Sequence, residues 1–361
     1  MQLMLERKHY IDNLRWLTIL LLFPFHAAQI WSGGEYCGFY IWEFTSRPMY
    51  VFSTFIYPWF MALLFVLAGI SSNYALKKRS NKQFVAERFE KLMVPFLFGL
   101  LFLIPAVTYI SEIYFNNYQG TYLHQYIMFF QKATDLTGYK GGFTPAHLWF
   151  LLYLFIIALL SLPVIMVRKK AMPDIPAGKL PYGGILLLFI PEWLMLHVLN
   201  IGGKSLGQFF MLYLFGYFIL YDEDIQRKLK QYRFISLILS IVSGIIYTYL
   251  YCFAHLRNEL ETGLFVIYGW TMILTLLGYG QSYLNFANKI SGYFTSASFP
   301  IYILHLNVLV IIAFFAVQLS IGIWGKFLLI VLLSLAVTIL CYELVRRIPY
   351  VNLLFGISKK K

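Results

Sequence analysis

Charge is what this chain has least of. Only 12% of its 361 residues are Asp, Glu, Lys or Arg, against about 25% in an ordinary soluble domain. With 60% hydrophobic residues and a mean hydropathy of +0.69, such a chain needs a bilayer as its solvent. Cysteine is scarce too: Cys37, Cys252 and Cys341 are far apart and match no CxxC or Cys/His ligand spacing, so neither a disulfide framework nor a zinc site is expected. There is no repeat period, no glycine-rich phosphate loop, no HExxH and no GxSxG, which removes the common soluble routes to hydrolysis and phosphate binding. Abundant aromatics, 34 Phe and 28 Tyr, exclude a disordered chain.

What is present is a series of long apolar runs. A hydrocarbon core about 30 Å thick takes about 20 helical residues. That length predicts an all-α, polytopic membrane protein, a single domain over 1-361 with ten spans near 11-31, 50-74, 94-114, 147-167, 183-200, 206-221, 234-254, 262-280, 298-319 and 323-345. The fifth and sixth are short and joined by a Gly-Gly-Lys turn, so eight spans is the competing count. The first run resembles a signal-peptide core, but it is long, carries His26 and lacks a small-x-small cleavage site, so it is read as a span.

The net charge of +13 is read as topology rather than nucleic-acid binding. With the N-terminus inside, the cytoplasmic segments hold 22 of the 29 cations, including Lys77, Lys78, Arg79, Lys82, Arg88 and Lys91. The outer segments hold six (Arg47, Lys132, Lys140, Lys204, Arg257 and Lys326), and Arg15 lies within the first span. The alternation predicts both termini in the cytoplasm. The longest connection, 115-146, is outside and too short for a folded domain; its aromatic stretch from Thr121 to Lys132 suits the membrane surface.

Titratable groups inside hydrocarbon are costly and mark candidate sites. They are Asp12, Arg15, His26, Glu112, His147, Glu192, His197, His305 and Glu343. Arg15 and His26, eleven residues apart, project from one face of a helix about 16 Å apart along its axis. This suits a cation at the cytoplasmic mouth and a base deeper in, with Asp12 positioned to pair with Arg15. An imidazole is an apt base because its ordinary pKa is about 6.5. Arg88 and Lys91 stand one helical turn apart before the third span, a placement that suits phosphate. Each of these residues also has a plain reading: snorkelling or topology-setting cations, and histidines hydrogen-bonded within a bundle. Glu192 and His197 lie on different faces, Glu112 and Glu343 sit near span ends, and Trp31, Trp42 and Trp59 read as interface anchors.

The segment Arg7-Lys-His-Tyr-Ile-Asp-Asn-Leu-Arg15, followed by ten residues and His26, resembles the signature of acyltransferase family 3. Arg88/Lys91 before Leu92 and Pro95, His147-Leu-Trp149-Phe-Leu, Pro300-Ile-Tyr302-Ile-Leu-His305 and the tail from Tyr342 to Gly356 agree with it. Phe23-Pro-Phe-His26 resembles the branch that decorates periplasmic glucans. The resemblance implies a multi-pass enzyme of the plasma (inner) membrane that moves an acetyl or succinyl group from cytoplasmic acyl-CoA, its co-substrate, to a hydroxyl of an extracytoplasmic glycan. It implies His26, Asp12 and His305 as the catalytic set, with His26 as base or acyl acceptor and His305 or a backbone donor steadying the oxyanion. Arg15, Arg88 and Lys91 would hold the donor, and His147 and Trp149 the acceptor. Where the family has two arginines in its third span, Lys91 keeps the charge without the bidentate fork. The implied partners are the bilayer, acyl-CoA and the glycan, without metal or nucleic acid; self-association is left open. No esterase-like domain follows the last span, so acceptor choice is expected to fall to the membrane part or a partner. A proton-coupled exporter of glycans or metabolites is the rival, since proton relays use the same residue types.

The topology has a direct test. Cysteines placed singly in 115-146 should be labelled by an impermeant maleimide in intact cells, and cysteines placed in 77-91 should not; the opposite pattern would invert the orientation.

Overall fold

The computed structural model describes residues 8-33, 38-132, 134-171 and 177-357. Arg7, Cys37 and Lys359 to Lys361 lie outside the described residues. The chain is helical almost throughout, as its composition requires: in hydrocarbon each backbone N–H and C=O must find its partner within the segment, and a helix does that locally.

The elements in chain order are α1 (His9–Gln29), α2 (Arg47–Leu76), α3 (Asn81–Asn116), α4 (Tyr122–Gln131), α5 (Trp149–Ala171), α6 (Tyr182–Leu186), α7 (Phe189–Met195) and α8 (Leu206–Phe215). They continue with α9 (Glu223–Gln231), α10 (Arg233–Cys252), α11 (Glu259–Tyr283), α12 (Lys289–Ala316), α13 (Ile323–Val345) and α14 (Val351–Leu354). Seven of these, α2, α3, α5, α10, α11, α12 and α13, are long and apolar enough to cross a membrane. The expected span at 11-31 is the 21-residue α1, whose apolar character is diluted by Asp12, Arg15 and His26. The expected span at 183-200 is broken into α6 and α7, and that at 206-221 is α8 closed by a π turn, Gly216–Leu220. The Gly-Gly-Lys turn between them forms the one hairpin among the described residues, Asn200–Ile201 against Lys204–Ser205, with Gly202 and Gly203 both at positive φ. Two glycines are what such a tight turn needs.

Two compact units are built from interleaved stretches. The first comprises Met1–Thr18, Phe55–Asn81 and Leu160–Ser296; the second comprises Ile19–Thr54, Lys82–Leu159 and Ala297–Lys361. Helices α1, α2, α5 and α12 each contribute one part to each unit.

In the first unit, α10 and α11 meet along a seam of small polar residues. Ser236, Ser240 and Ser243 on α10 and Thr271 and Thr275 on α11 are buried at three- and four-residue spacing, and their hydroxyls bond mainly to their own helix carbonyls, such as Thr275 to Thr271 at 2.8 Å. Small side chains let backbones approach closely in lipid, where the water-driven term is missing. The same rule governs α2 against α8: a Cβ at Gly69 would strike the Tyr213 carbonyl, and one at Gly216 would strike the Val66 carbonyl.

In the second unit, α3 carries two π turns, Phe89–Met93 and Gly99–Leu103. The freed geometry is used: Asn307 Nδ2 on α12 donates to the Leu103 carbonyl at 2.5 Å. The segment after α3 is anchored by Glu112, which is buried and takes Lys132 Nζ at 2.7 Å and the Asn116 amide. The core of this unit gathers Ala27, Ile30 and Trp31 with Leu306, Leu309 and Val310, so the half of α1 that carries His26 packs on the half of α12 that carries His305.

Replacing Gly69 by Leu should lower stability by about 1–3 kcal/mol through overpacking, read as a lower thermal midpoint of the purified protein in detergent; an unchanged midpoint would contradict the close α2–α8 approach.

Candidate active site

Three imidazoles from three distant stretches of chain meet in the second unit. His26 is on α1, His147 in the 3-10 turn Ala146–Leu148 that opens α5, and His305 on α12. Ring centroids are 5.3 Å apart for His26 and His305 and 4.9 Å apart for His147 and His305. Phe23, Tyr302 and Phe39 complete the walls, with Phe39 stacked on His26 at 5.6 Å and 18°.

The hydrogen-bond partners decide which ring nitrogen carries the proton. His305 Nδ1 lies 2.6 Å from the Tyr302 carbonyl and His147 Nε2 lies 3.0 Å from the Ile303 carbonyl. A carbonyl only accepts, so each of these nitrogens is the N–H and the other ring nitrogen holds the lone pair. Those other nitrogens, His147 Nδ1 and His305 Nε2, are buried with no hydrogen-bond partner. His26 Nδ1 lies 2.8 Å from Gln29 Oε1, which leaves its Nε2 as the basic nitrogen. His305 and His147 are 0% and 7% exposed, whereas His26 keeps partial exposure. The trio thus offers one partly exposed imidazole backed by two enclosed rings.

A reciprocal clasp fixes the two enclosed rings. Tyr302 donates its hydroxyl to the His147 carbonyl while His147 donates to the carbonyl of Ile303. Trp149, next to His147, is half-buried and packs edge-on to Tyr153 at 5.2 Å.

The remaining expected residues lie elsewhere. Asp12 and Arg15 belong to the first unit, where Arg15 Nη1 donates to Asp12 Oδ1 at 3.0 Å and Nη2 to Ser71 Oγ at 2.8 Å. Asp12 is therefore an orienting partner of Arg15, fourteen residues before His26 on the same helix. Arg88 ends the α-helical stretch Asn81–Arg88 with its guanidinium 4.8 Å over the Phe84 ring. Lys91 falls inside the first π turn, so Arg88 and Lys91 are not related by the regular α-helical turn the sequence suggests. Glu192 is buried in the first unit and accepts from Gln208 Nε2 at 2.8 Å. Trp31 is corrected as well: it is fully buried, not an interface anchor.

Sequence reasoning missed Gln29, Tyr302 and Ser71. Gln29 follows His26 by three residues, a spacing that places both on neighbouring positions of a helix face and could have flagged it. Tyr302 lay within the motif that held His305. Ser71 carried no signal.

A many-helix membrane protein with an imidazole cluster inside one half is the class these observations define. The chain belongs to acyltransferase family 3: that family's model, an acyltransferase domain, matches residues 8–344. Relatives named glucans biosynthesis protein C from Escherichia coli O17:K52:H18 and from Shigella dysenteriae serotype 1 are each 20% identical over 390 aligned residues, covering 97% of this chain and 94% of theirs. The relative of that name from Escherichia coli K12 is similar to the same extent. No solved structure matches the chain.

Changing Tyr302 to Phe should cost about 1 kcal/mol, the net worth of one internal hydrogen bond, visible as a lower thermal midpoint; an unchanged midpoint would take the hydroxyl out of the clasp.

Proposed function

We propose that this chain is a membrane-embedded O-acyltransferase that moves an acetyl or succinyl group from cytoplasmic acyl-CoA to a hydroxyl of an extracytoplasmic glycan. In this reading it works in the plasma (inner) membrane, with ten spans and both termini inside. The observation that carries the reading is His26: an accessible imidazole whose Nδ1 is committed to Gln29, in a chain that belongs to an acyltransferase family. The 22-to-6 distribution of cations supports the orientation.

In the proposed step, His26 Nε2 takes the proton of the acceptor hydroxyl as its oxygen bonds to the thioester carbon. The C–S bond then breaks, the proton passes to the departing thiolate, and the products are an ester and free CoA thiol. A fixed tautomer matters here, because a ring free to exchange its proton between nitrogens would present the wrong one part of the time. His305, whose Nδ1–H is committed to the Tyr302 carbonyl, supports the developing oxyanion only when Nε2 also carries a proton. Arg15, and separately Arg88 and Lys91, take the phosphates of the donor through charge-assisted hydrogen bonds. His147 and Trp149 line the acceptor side. The name of the distant relatives, glucans biosynthesis protein C, supports a glucan as the first acceptor to try.

Purified protein given labelled acetyl-CoA or succinyl-CoA and a glucan should produce labelled ester. His26→Ala, with expression unchanged, should lower that rate by about 10²–10⁴-fold, the usual share of general base catalysis. Full activity in the variant would overturn the role of His26. Glycan flux across liposomes without any acyl-CoA dependence would overturn the enzyme in favour of an exporter.

A further inference from the structure

The ends of the two helices that carry His26 and His305 are joined beyond those residues through one ion pair, Glu43–Lys326. Glu43, in the segment between α1 and α2, accepts from Trp31 Nε1 at 2.7 Å through one oxygen and from Lys326 Nζ at 3.1 Å through the other. Trp31 comes five residues after His26 and is 0% exposed. Lys326, near the start of α13, also donates to the Val317 carbonyl at 2.6 Å, just past the end of α12, where a cation complements the helix C-terminus. The side chains of Lys326 and Glu43 are 12% and 19% exposed. The backbone repeats the tie: Glu43 N–H donates to the Ile30 carbonyl at 3.0 Å and Ser46 N–H to the Trp31 carbonyl at 2.8 Å.

We infer that the Glu43–Lys326 pair is a positioning device for the reaction: it sets the spacing of His26 and His305 and holds Phe39 on the face of His26. The inference rests on the acyl-transfer reading for its kinetic consequence but not for its geometry. An enclosed ion pair adds little net stability, because desolvating two charges offsets their attraction, yet it tolerates few alternative arrangements. Both ends of this pair are spent on helix termini: Glu43 on the indole that follows α1 and Lys326 on the carbonyl that follows α12. Releasing either lets those ends slide, and a displacement of about 1 Å at a reacting group lowers a rate by about 10²-fold. Phe39 adds a second route. It lies four residues before Glu43, with Tyr40 beside it tied to the Thr137 carbonyl at 3.1 Å, so Glu43 is one of two anchors of the segment that stacks on His26.

The experiment compares Lys326→Met, Lys326→Arg and wild type in the full-length protein. Lys326→Met should lower kcat by about 10²-fold with the KM for acyl-CoA unchanged, and Lys326→Arg, which keeps the ion pair, should recover most of the rate. Independently of any acyl substrate, carbethoxylation of His26 by diethylpyrocarbonate, followed on its peptide by mass spectrometry, should speed up several-fold in Lys326→Met and return to the wild-type rate in Lys326→Arg. If Lys326→Met does not fold, the pair Glu43→Gln with Lys326→Met leaves no unpaired charge and takes its place. Wild-type kcat and wild-type carbethoxylation in the Met variant would overturn the positioning role, as would an equal loss in Met and Arg variants. If wild type itself transfers no acyl group, the acyl-transfer reading fails, and the carbethoxylation rates still decide whether the pair positions His26.

Discussion

Two main-chain carbonyls of α12, those of Tyr302 and Ile303, govern the chemistry of the second unit. Within a membrane helix every carbonyl already serves its own ladder, but each oxygen has a second lone pair. His305 and His147 each take one of these, which fixes both the plane of the ring and the nitrogen that bears hydrogen. Because the acceptors are backbone atoms of one continuous helix, the two rings cannot drift apart without unwinding it. His26 is treated differently. Its partner is a side chain, Gln29, and it alone of the three keeps contact with open space. Rigid rings behind and an adjustable ring in front is an arrangement suited to a reacting base, which must trade protons and follow its substrate.

The first unit is organised by closeness rather than by polar chemistry. Gly69 and Gly216 bring α2 and α8 into backbone contact, and the serine and threonine seam brings α10 against α11. Arg15 sits in this half with its guanidinium oriented by both Asp12 and Ser71. A guanidinium with two of its donors committed to different partners is held in plane.

How much of this was legible in the sequence follows from where each signal resides. His26, His147 and His305 were each singled out because an imidazole in an apolar run is conspicuous. That they meet was not legible, because they come from stretches more than a hundred residues apart and periodicity describes one helix at a time. The relation of Arg88 to Lys91 was misjudged because the π turn leaves no compositional mark; a run such as Phe-Glu-Lys-Leu-Met reads as ordinary helix. Trp31 was mistaken for an interface anchor because its position at a span end is the usual place for one, and only tertiary packing against Glu43 and the core distinguishes it. Glu43 escaped notice entirely, being outside the apolar runs that drew attention to titratable groups. The break at Leu187 and Leu188 between α6 and α7 was foreshadowed only by the shortness of that run.

The two π turns of α3 have a meaning for register as well as for local geometry. Each contains one residue more than an α-helical turn needs. The residues on either side are thereby turned by about 100° per extra residue relative to an unbroken helix. A relative whose α3 lacked one of these turns would present a different stripe of that helix to Asn307. Comparing members of this family helix by helix, with one-residue offsets allowed at Phe89–Met93 and Gly99–Leu103, is therefore the register in which cations such as Arg88 and Lys91 become comparable.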